Sequence, residues 1–501
     1  MALWHWWRYQ VERTTPQTDQ KDLTYPEDKQ EITKEAIKQE LQDADDVIYK
    51  EFTLHGEPVT IVYIKTMVEE ALLQEHVLEP LQAKQYDDPR HALPLAGELQ
   101  KDELPKLLKN LLSGFSILMF PERSLIIQIN TNKIPQRSIS RTETESTVLG
   151  PQDSLVESLN SNHSLIRRRI ISTNLKIKTF VLGTESRVSV SILYMQNIAN
   201  PENVERLIQR VRNVEYAGFV SLMEMKQMIE DKPYSPFPQF AVTSRPDTAV
   251  KALLDGRVLV MMDGSPEAAI CPSSFLEMFI SPEDFYNRWP TATLLRLIRV
   301  MGMFVTILLT ATYVSVLTYH PEMLPPALLT ILSESRSKVP FPPLIEVLII
   351  ELVIEILREA GARMPSKIGQ TIGIVGGIVI GTASVQAGLA SNILIVVVSV
   401  SALLSFLPPN FLMSNAIRLV RYGMILMAGI LGIYGQMLAL AFLLAHLLSL
   451  TSLGSPFLTP VILRQWTDIT DSLIRFPMNY VMKRKGMSRA KNQSLRPTDE
   501  E

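Results

Sequence analysis

Glu351, Glu355 and Glu359 recur every fourth residue in an otherwise apolar run, 341–360, and so fall on one stripe of a helix. Glu346 lies off that stripe. A charged residue at the centre of a bilayer costs about 2.5–3.5 kcal/mol on insertion scales, so the stripe is not expected to face lipid. Either this helix lies in the interface, or it crosses with its carboxylates facing water or protein. Where they face water, their chemistry is electrostatic, a field that gathers cations. Arg358 stands three residues after Glu355, close enough for a helical ion pair, so a purely structural stripe is the competing reading. Just downstream, Gly369, Gly373, Gly377 and Gly381 also recur every fourth residue, within a stretch from Ile368 to Ile417 that has no charged residue. A glycine face lets a second helix approach closely. It packs either within the chain or at a subunit interface or pore wall.

Other chemistries have little to stand on. The chain has no Walker loop, GxSxG elbow, HExxH or paired Cys-x-x-Cys. The single cysteine, Cys271, excludes an internal disulfide framework and a thiolate metal cluster. The seven histidines show no ligand spacing; His446, inside an apolar run, is expected to be hydrogen-bonded between helices. Arg167-Arg168-Arg169 is expected on a solvated helix face rather than on phosphate or lipid, and Asp263-Gly264 in a plain turn. No catalytic, cofactor or metal residue is assigned, the chain is not expected to be an enzyme, and nothing supports nucleic-acid binding.

The elements that must position these residues fall in two unlike halves. Mean hydropathy is +0.11 and net charge −3, averages that mix a polar half with an apolar one. Residues 1–30 read as a polar flexible segment; Trp4, Trp6 and Trp7 suit a membrane surface or an unstructured tail, and the start lacks the pattern of a signal peptide. A first α/β subdomain is expected over 31–141, with helices at 31–43, 68–78 (stopped before Pro80) and 94–112, and strands at 59–64, 116–121 and 124–129. A second follows over 142–285. Its expected elements are a helix at 155–170, strands at 175–181 and 188–194, a helix opening at Pro201, an extended Pro233–Pro238 connector and a hairpin built on 257–264. A helical membrane domain is expected over 286–455, with spans at about 297–317, 368–387, 389–407 and 424–450. A basic tail, 456–501, ends the chain. Arg288, Arg296 and Arg299 before the first span, and Lys483, Arg484, Lys485 and Arg489 in the tail, put both ends in the cytoplasm. Four crossings satisfy this, which argues against full crossing by 341–360. Arg358, Arg363 and Lys367 would then lie outside, and the charge rule leaves that conflict open.

Ordered motifs carry a resemblance. Ser281-Pro-Glu-Asp-Phe-Tyr-Asn-Arg-Trp-Pro290 precedes a span; Tyr319-His-Pro-Glu-Met323, Val339-Pro-Phe-Pro342, Glu355-Ile-Leu-Arg-Glu-Ala-Gly361 and Ile368–Gly377 follow. Upstream stand Ser164–Ile170, Asn197–Pro201, Ser235–Gln239, Thr243-Ser-Arg-Pro-Asp247 and Leu254-Asp-Gly-Arg-Val258. Over roughly 45–465 the chain resembles the A-subunit family of bacterial spore germination receptors, the GerA type. It departs near 149–155, where Leu149 and Gln152 stand at positions usually held by arginine, and at Thr184–Arg187, where the family has a basic run.

The resemblance implies a multi-pass subunit of the spore inner membrane, with its soluble N-terminal region on the cytoplasmic side. Its implied partners are other A-subunit copies, a transporter-like B subunit that binds the nutrient, a lipoprotein C subunit and membrane lipid. The implied function is a homo-oligomeric, nutrient-gated cation channel that triggers germination. A non-conducting signalling scaffold and a membrane transporter are the alternatives.

Overall fold

The structure, a computed structural model, describes residues 31–83, 88–93, 96–132, 145, 147–363, 377, 381–461, 472–477, 483, 484 and 486–495. Two compact units divide the chain.

The first unit is an antiparallel sheet with helices. Its strands are β1 (Val47–Leu54), β2 (Glu57–Ile64), β3 (Gly97–Leu99), β4 (Phe115–Phe120) and β5 (Leu125–Asn130), in the order β1-β2-β4-β5-β3. Helix α1 (Lys34–Glu40) opens it, capped by the Thr33 hydroxyl, and α2 (Leu104–Leu112) lies between β3 and β4. Sequence reasoning misses β1. Leu54 pairs with Glu57, so His55-Gly56 is a two-residue turn, and both residues have positive φ, 49° and 88°. The helix expected over 94–112 begins only at Leu104, because Gly97–Leu99 pairs with β5 at the sheet edge. The helix expected to stop before Pro80 continues through it as Glu70–Leu73, a π turn at Gln74–Leu78 and Glu79–Ala83. Pro80 falls in the first turn of that last segment, where a missing amide is tolerated. The unit's expected end near 141 lies outside the described residues.

The second unit starts with the same plan. Strands β6 (Leu175–Leu182), β7 (Val188–Met195), β8 (Ala241–Thr243), β9 (Val258–Met262) and β10 (Ala268–Cys271) pair antiparallel in the order β6-β7-β9-β10-β8. Subtracting five from each label reproduces the first sheet, so the α/β region is one topology used twice. Helix α3 (Leu159–Arg167) precedes β6; α4 (Pro201–Arg212) and α5 (Leu222–Ile229) lie between β7 and β8, and α6 (Pro246–Leu254) between β8 and β9. The Asn200 side chain caps α4, with Pro201 in its first turn. The expected helix at 155–170 is shorter, since the Ser158 side chain caps it at Leu159. Apolar clusters cover both faces of this sheet.

Helices follow in the same unit: α7 (Trp289–Tyr319), α8 (Pro326–Arg336), α9 (Pro343–Arg363), α10 (Asn392–Leu404) and α11 (Phe411–Ser449). Of these, α7 and α11 are long and apolar enough to cross a membrane. The span expected at 389–407 contains a helix of 13 residues, about 20 Å long at 1.5 Å per residue, delimited by the Ser391 cap and by Pro408-Pro409. The span expected at 424–450 starts thirteen residues earlier, at Phe411, where the Asn410 side chain accepts from Met413 N. Most of the span expected at 368–387 lies outside the described residues.

Helix α11 is a hairpin of two legs. Gly432, at φ 63° and ψ −144°, breaks it into 411–431 and 433–449. A side chain on Gly435 would collide with the Met427 carbonyl. In an unbroken helix, residues eight apart lie about 12 Å apart along the axis. Asn410, just before the first leg, lines a cavity with Arg257 and Ser281 of the α/β region. At the end of the second leg, Ser449 Oγ accepts from Lys232 Nζ at 3.0 Å. Both legs therefore have their outer ends at the sheet. A short hairpin, β11 (Thr451–Ser452) and β12 (Ser455–Pro456), then returns to the α/β region. Asp231 accepts there from Leu453 N at 3.1 Å, Gly454 N at 3.0 Å and the Thr451 hydroxyl at 2.5 Å.

Candidate functional site

The site is built from α9 and what packs on it. Its direction follows from pairs along the first leg of α11. Leu344 faces Gly429, the Tyr422 hydroxyl reaches Glu351 O at 3.5 Å, and Arg418 lies 3.4 Å from Glu355. The two are antiparallel, so α9 runs back toward the α/β region over the leg's whole length.

Each glutamate has a basic partner. Glu351 is fully buried, and Arg421 Nη2 lies 2.6 Å from its Oε2. The approach is off the hydrogen-bond direction and leaves both carboxylate oxygens without an aligned donor, so the contact is chiefly one of charge. Arg421 Nη1 donates to Ser401 Oγ of α10 at 3.2 Å. Glu355, half-buried, meets Arg358 on its own helix and Arg418 on α11. Glu359 pairs with Arg363 at 2.6 Å, with 63% of its side chain exposed. The stripe thus grades from a dry interior to solvent. Glu346, off the stripe, is also buried: it accepts from Ser391 N at 2.7 Å and pairs with Arg336 Nε at 3.2 Å. Glu351 and Glu346 thus both lie between packed helices.

Sequence reasoning missed the partners Arg418 and Arg421. The signal was present: two acids spaced by four and two bases spaced by three, on helices that can meet antiparallel.

Of the glycine ladder, Gly369 and Gly373 lie outside the described residues. Gly377 and Gly381 lie within them, and a Cβ on either would meet nothing within 4 Å. The glycines that pack closely inside the chain are others. A Cβ on Gly302 would sit 2.6 Å from Leu407, one on Gly429 2.6 Å from Leu344, and one on Gly388 2.7 Å from the Lys338 carbonyl.

The bundle is fastened to the sheet at both ends. Buried Asp284 holds Arg299 at 2.7 Å and Arg296 at 3.2 Å, fixing the start of α7. The His446 ring hydrogen-bonds Ser235 at 2.9 Å, an α/β residue rather than another helix. Arg167 is buried, not on a solvated face, whereas Arg169 pairs with Asp153 at 2.6 Å. Asp263-Gly264 is the expected turn, and Asp263 Oδ1 also accepts from Leu159 N at 3.0 Å.

The family profile described as "Bacillus/Clostridium GerA spore germination protein" matches residues 35–487. Spore germination protein GerQA of Bacillus cereus is 38% identical over 461 residues, 91% of this chain and 92% of that one. The uncharacterized membrane protein YfkQ of Bacillus subtilis (strain 168) is 33% identical over 449 residues, 88% of each. The solved N-terminal domain of the A subunit of the Bacillus megaterium spore germinant receptor GerK3 is 23% identical, with a TM-score of 0.36, covering 48% of this chain and 93% of that one.

Proposed function

The chain belongs to the GerA family of spore germination proteins, and from that premise we propose that it is the oligomeric, cation-conducting A subunit of a nutrient germinant receptor. In this reading it is no enzyme. It sits in the spore inner membrane with its α/β region in the cytoplasm, beside further A subunits, a transporter-like B subunit that takes the nutrient, and a lipoprotein C subunit.

The observation that carries the oligomeric reading is the open glycine face. Among the described residues, Gly377 and Gly381 have no neighbour where a side chain would be, although other glycines of the bundle are in tight contact. In lipid such a face favours close approach by another helix, here that of a second copy. The chain directions support six passes. Helix α7 leaves the sheet and α9 returns. Arg363 ends α9 on the sheet side while Gly388 meets Lys338 on the other, so the chain changes side between these two described points. Helix α10 returns, since Ser391 meets Tyr313 and Ser401 meets Thr306, and the two legs of α11 complete the set. Six passes keep both ends on one side and bring Arg358 and Arg363 to the cytoplasmic face, which eases the conflict left by four.

The reading is tested with purified complex in potassium-loaded liposomes. Nutrient-dependent potassium efflux is expected; its absence, with the complex intact and nutrient bound, refutes conduction. The scaffold reading draws on a separate observation, the neutralisation of Glu351 and Glu355 by arginines.

A further inference from the structure

Three of the motifs noted in the sequence converge on one cavity, and the proposed channel has no use for it. Thr243 comes from the first, Arg257 from the second and Ser281 from the third; with Lys251, Glu145 and the Pro409-Asn410 turn between α10 and α11 they line a space of about 260 Å³. It lies where the second sheet meets the helices.

Arg257 marks it as a binding site. Its side chain is only 6% exposed, and it pairs with Glu277 through Nη2. Its Nε is buried with no hydrogen-bond partner among the described residues. A buried donor on a cationic group costs free energy unless an acceptor reaches it. Glu277 also accepts from Ser274 N at 3.1 Å, so one carboxylate is already shared between two donors. A second cation, the Lys251 ammonium, sits over the Phe285 ring on the same wall.

We propose that this cavity binds a small molecule through an anionic oxygen, of a carboxylate or a phosphate, which accepts from Arg257 Nε and lies near Lys251. The volume is close to the lower end of ligand pockets, about 300–1,000 Å³, and excludes a peptide. The other charged groups on the lining are Asp255, Glu277 and Glu145. Burial pushes the Glu145 carboxyl up to about 7, against hydrogen bonds from Thr243 and Ser244. Near neutral pH, part of the population therefore lacks one of the lining's negative charges that would repel such a ligand. An occupant would touch the sheet, the segment entering α7 and the α10–α11 turn together.

The test uses the full-length protein in phosphatidylcholine nanodiscs, with thermal unfolding followed in sodium phosphate or sodium acetate against sodium chloride of equal ionic strength. A saturable rise in midpoint is expected with at least one of the two anions. Arg257→Gln should raise the half-saturating concentration at least tenfold. Lys251→Gln, at a part-exposed position, should raise it severalfold, and it decides the matter if Arg257→Gln does not fold. A rise already present in phosphatidylglycerol nanodiscs, with no further gain from free anion, supports the proposal and identifies a lipid headgroup as the source. No saturable rise in any arm, or one unchanged in the folded variants, overturns it.

Discussion

Glu351→Gln isolates what holds the bundle. The substitution leaves Arg421 buried, with Ser401 Oγ as its remaining partner. Breaking one side of a buried ion pair costs about 3–5 kcal/mol. In a unit as large as the second, with about 2.1 cal/mol/K of unfolding entropy per residue, each kcal/mol shifts the melting midpoint by only ~1.3 °C, so a fall of ~4–7 °C is expected. Replacing both partners, Glu351→Met with Arg421→Met, should recover most of the loss, because it removes the orphaned charge rather than creating one. The assay is thermal unfolding of detergent-purified protein, read by size exclusion after heating, for the parent, both single variants and the double. A Glu351→Gln protein that melts within about 1 °C of the parent, less than the shift from 1 kcal/mol, would refute the pairing. Potassium efflux from the same four proteins bears on the pore. If Glu351 only packs helices, the double variant conducts. If its charge serves ions, the double variant is stable and silent.

Gly377→Leu should abolish germination, because a bulky side chain would block close approach by another helix. Immunoblots of spore membranes separate a lost complex from an intact but non-conducting one, whereas leucine at Val375 or Val379 should be tolerated; normal assembly and efflux in Gly377→Leu would sink the close-packed face. Gly432→Val should destabilise the helical hairpin by about 1–3 kcal/mol, since that backbone region is nearly exclusive to glycine, and the loss should appear as a lower melting midpoint. Glu145 carries a pH signature. Its carboxyl is raised to about 7, first by burial. Its stabilising contribution is therefore complete below the unfolded value near 4.5 and is lost as pH rises through 7. The parent's melting midpoint should fall more between pH 5 and 8 than that of Glu145→Gln, and parallel curves would contradict the assignment.

Much of the α/β region was legible because its strands carry β-branched runs and its turns carry Gly, Pro or Asp. Strand β1 was not, since Val47–Leu54 mixes Lys50 and Glu51 into an edge strand with one open side. Nor was the repeated topology: it resides in strand order, which long-range pairing decides, not in any local period. Among the helices, periodicity located α7 and α9 but could not say what the glutamates face. That depends on Arg418 and Arg421, which lie next to the uncharged run yet across the bundle in space. The reversal at Gly432 was hidden for a simpler reason: a single glycine in an apolar run is common, and only its positive φ turns one long helix into two legs.

The hairpin after α11 bears on the order in which the chain is made. Leu453 is fully buried in one apolar cluster of the second sheet, and Ala490 lies in the other. Lys491 N donates to Ile198 O at 2.8 Å, and Asn203 Nδ2 to Ser488 O at 3.1 Å. The ribosome completes the strands of that sheet by Cys271, yet Leu453 and Ala490, which help close its two faces, emerge only after α7 to α11 have been translated. Throughout that interval the nascent domain presents open apolar seats. Leu453 and the segment 488–491 act as a late seal, and native structure at the sheet reports that the helices between have already found their places.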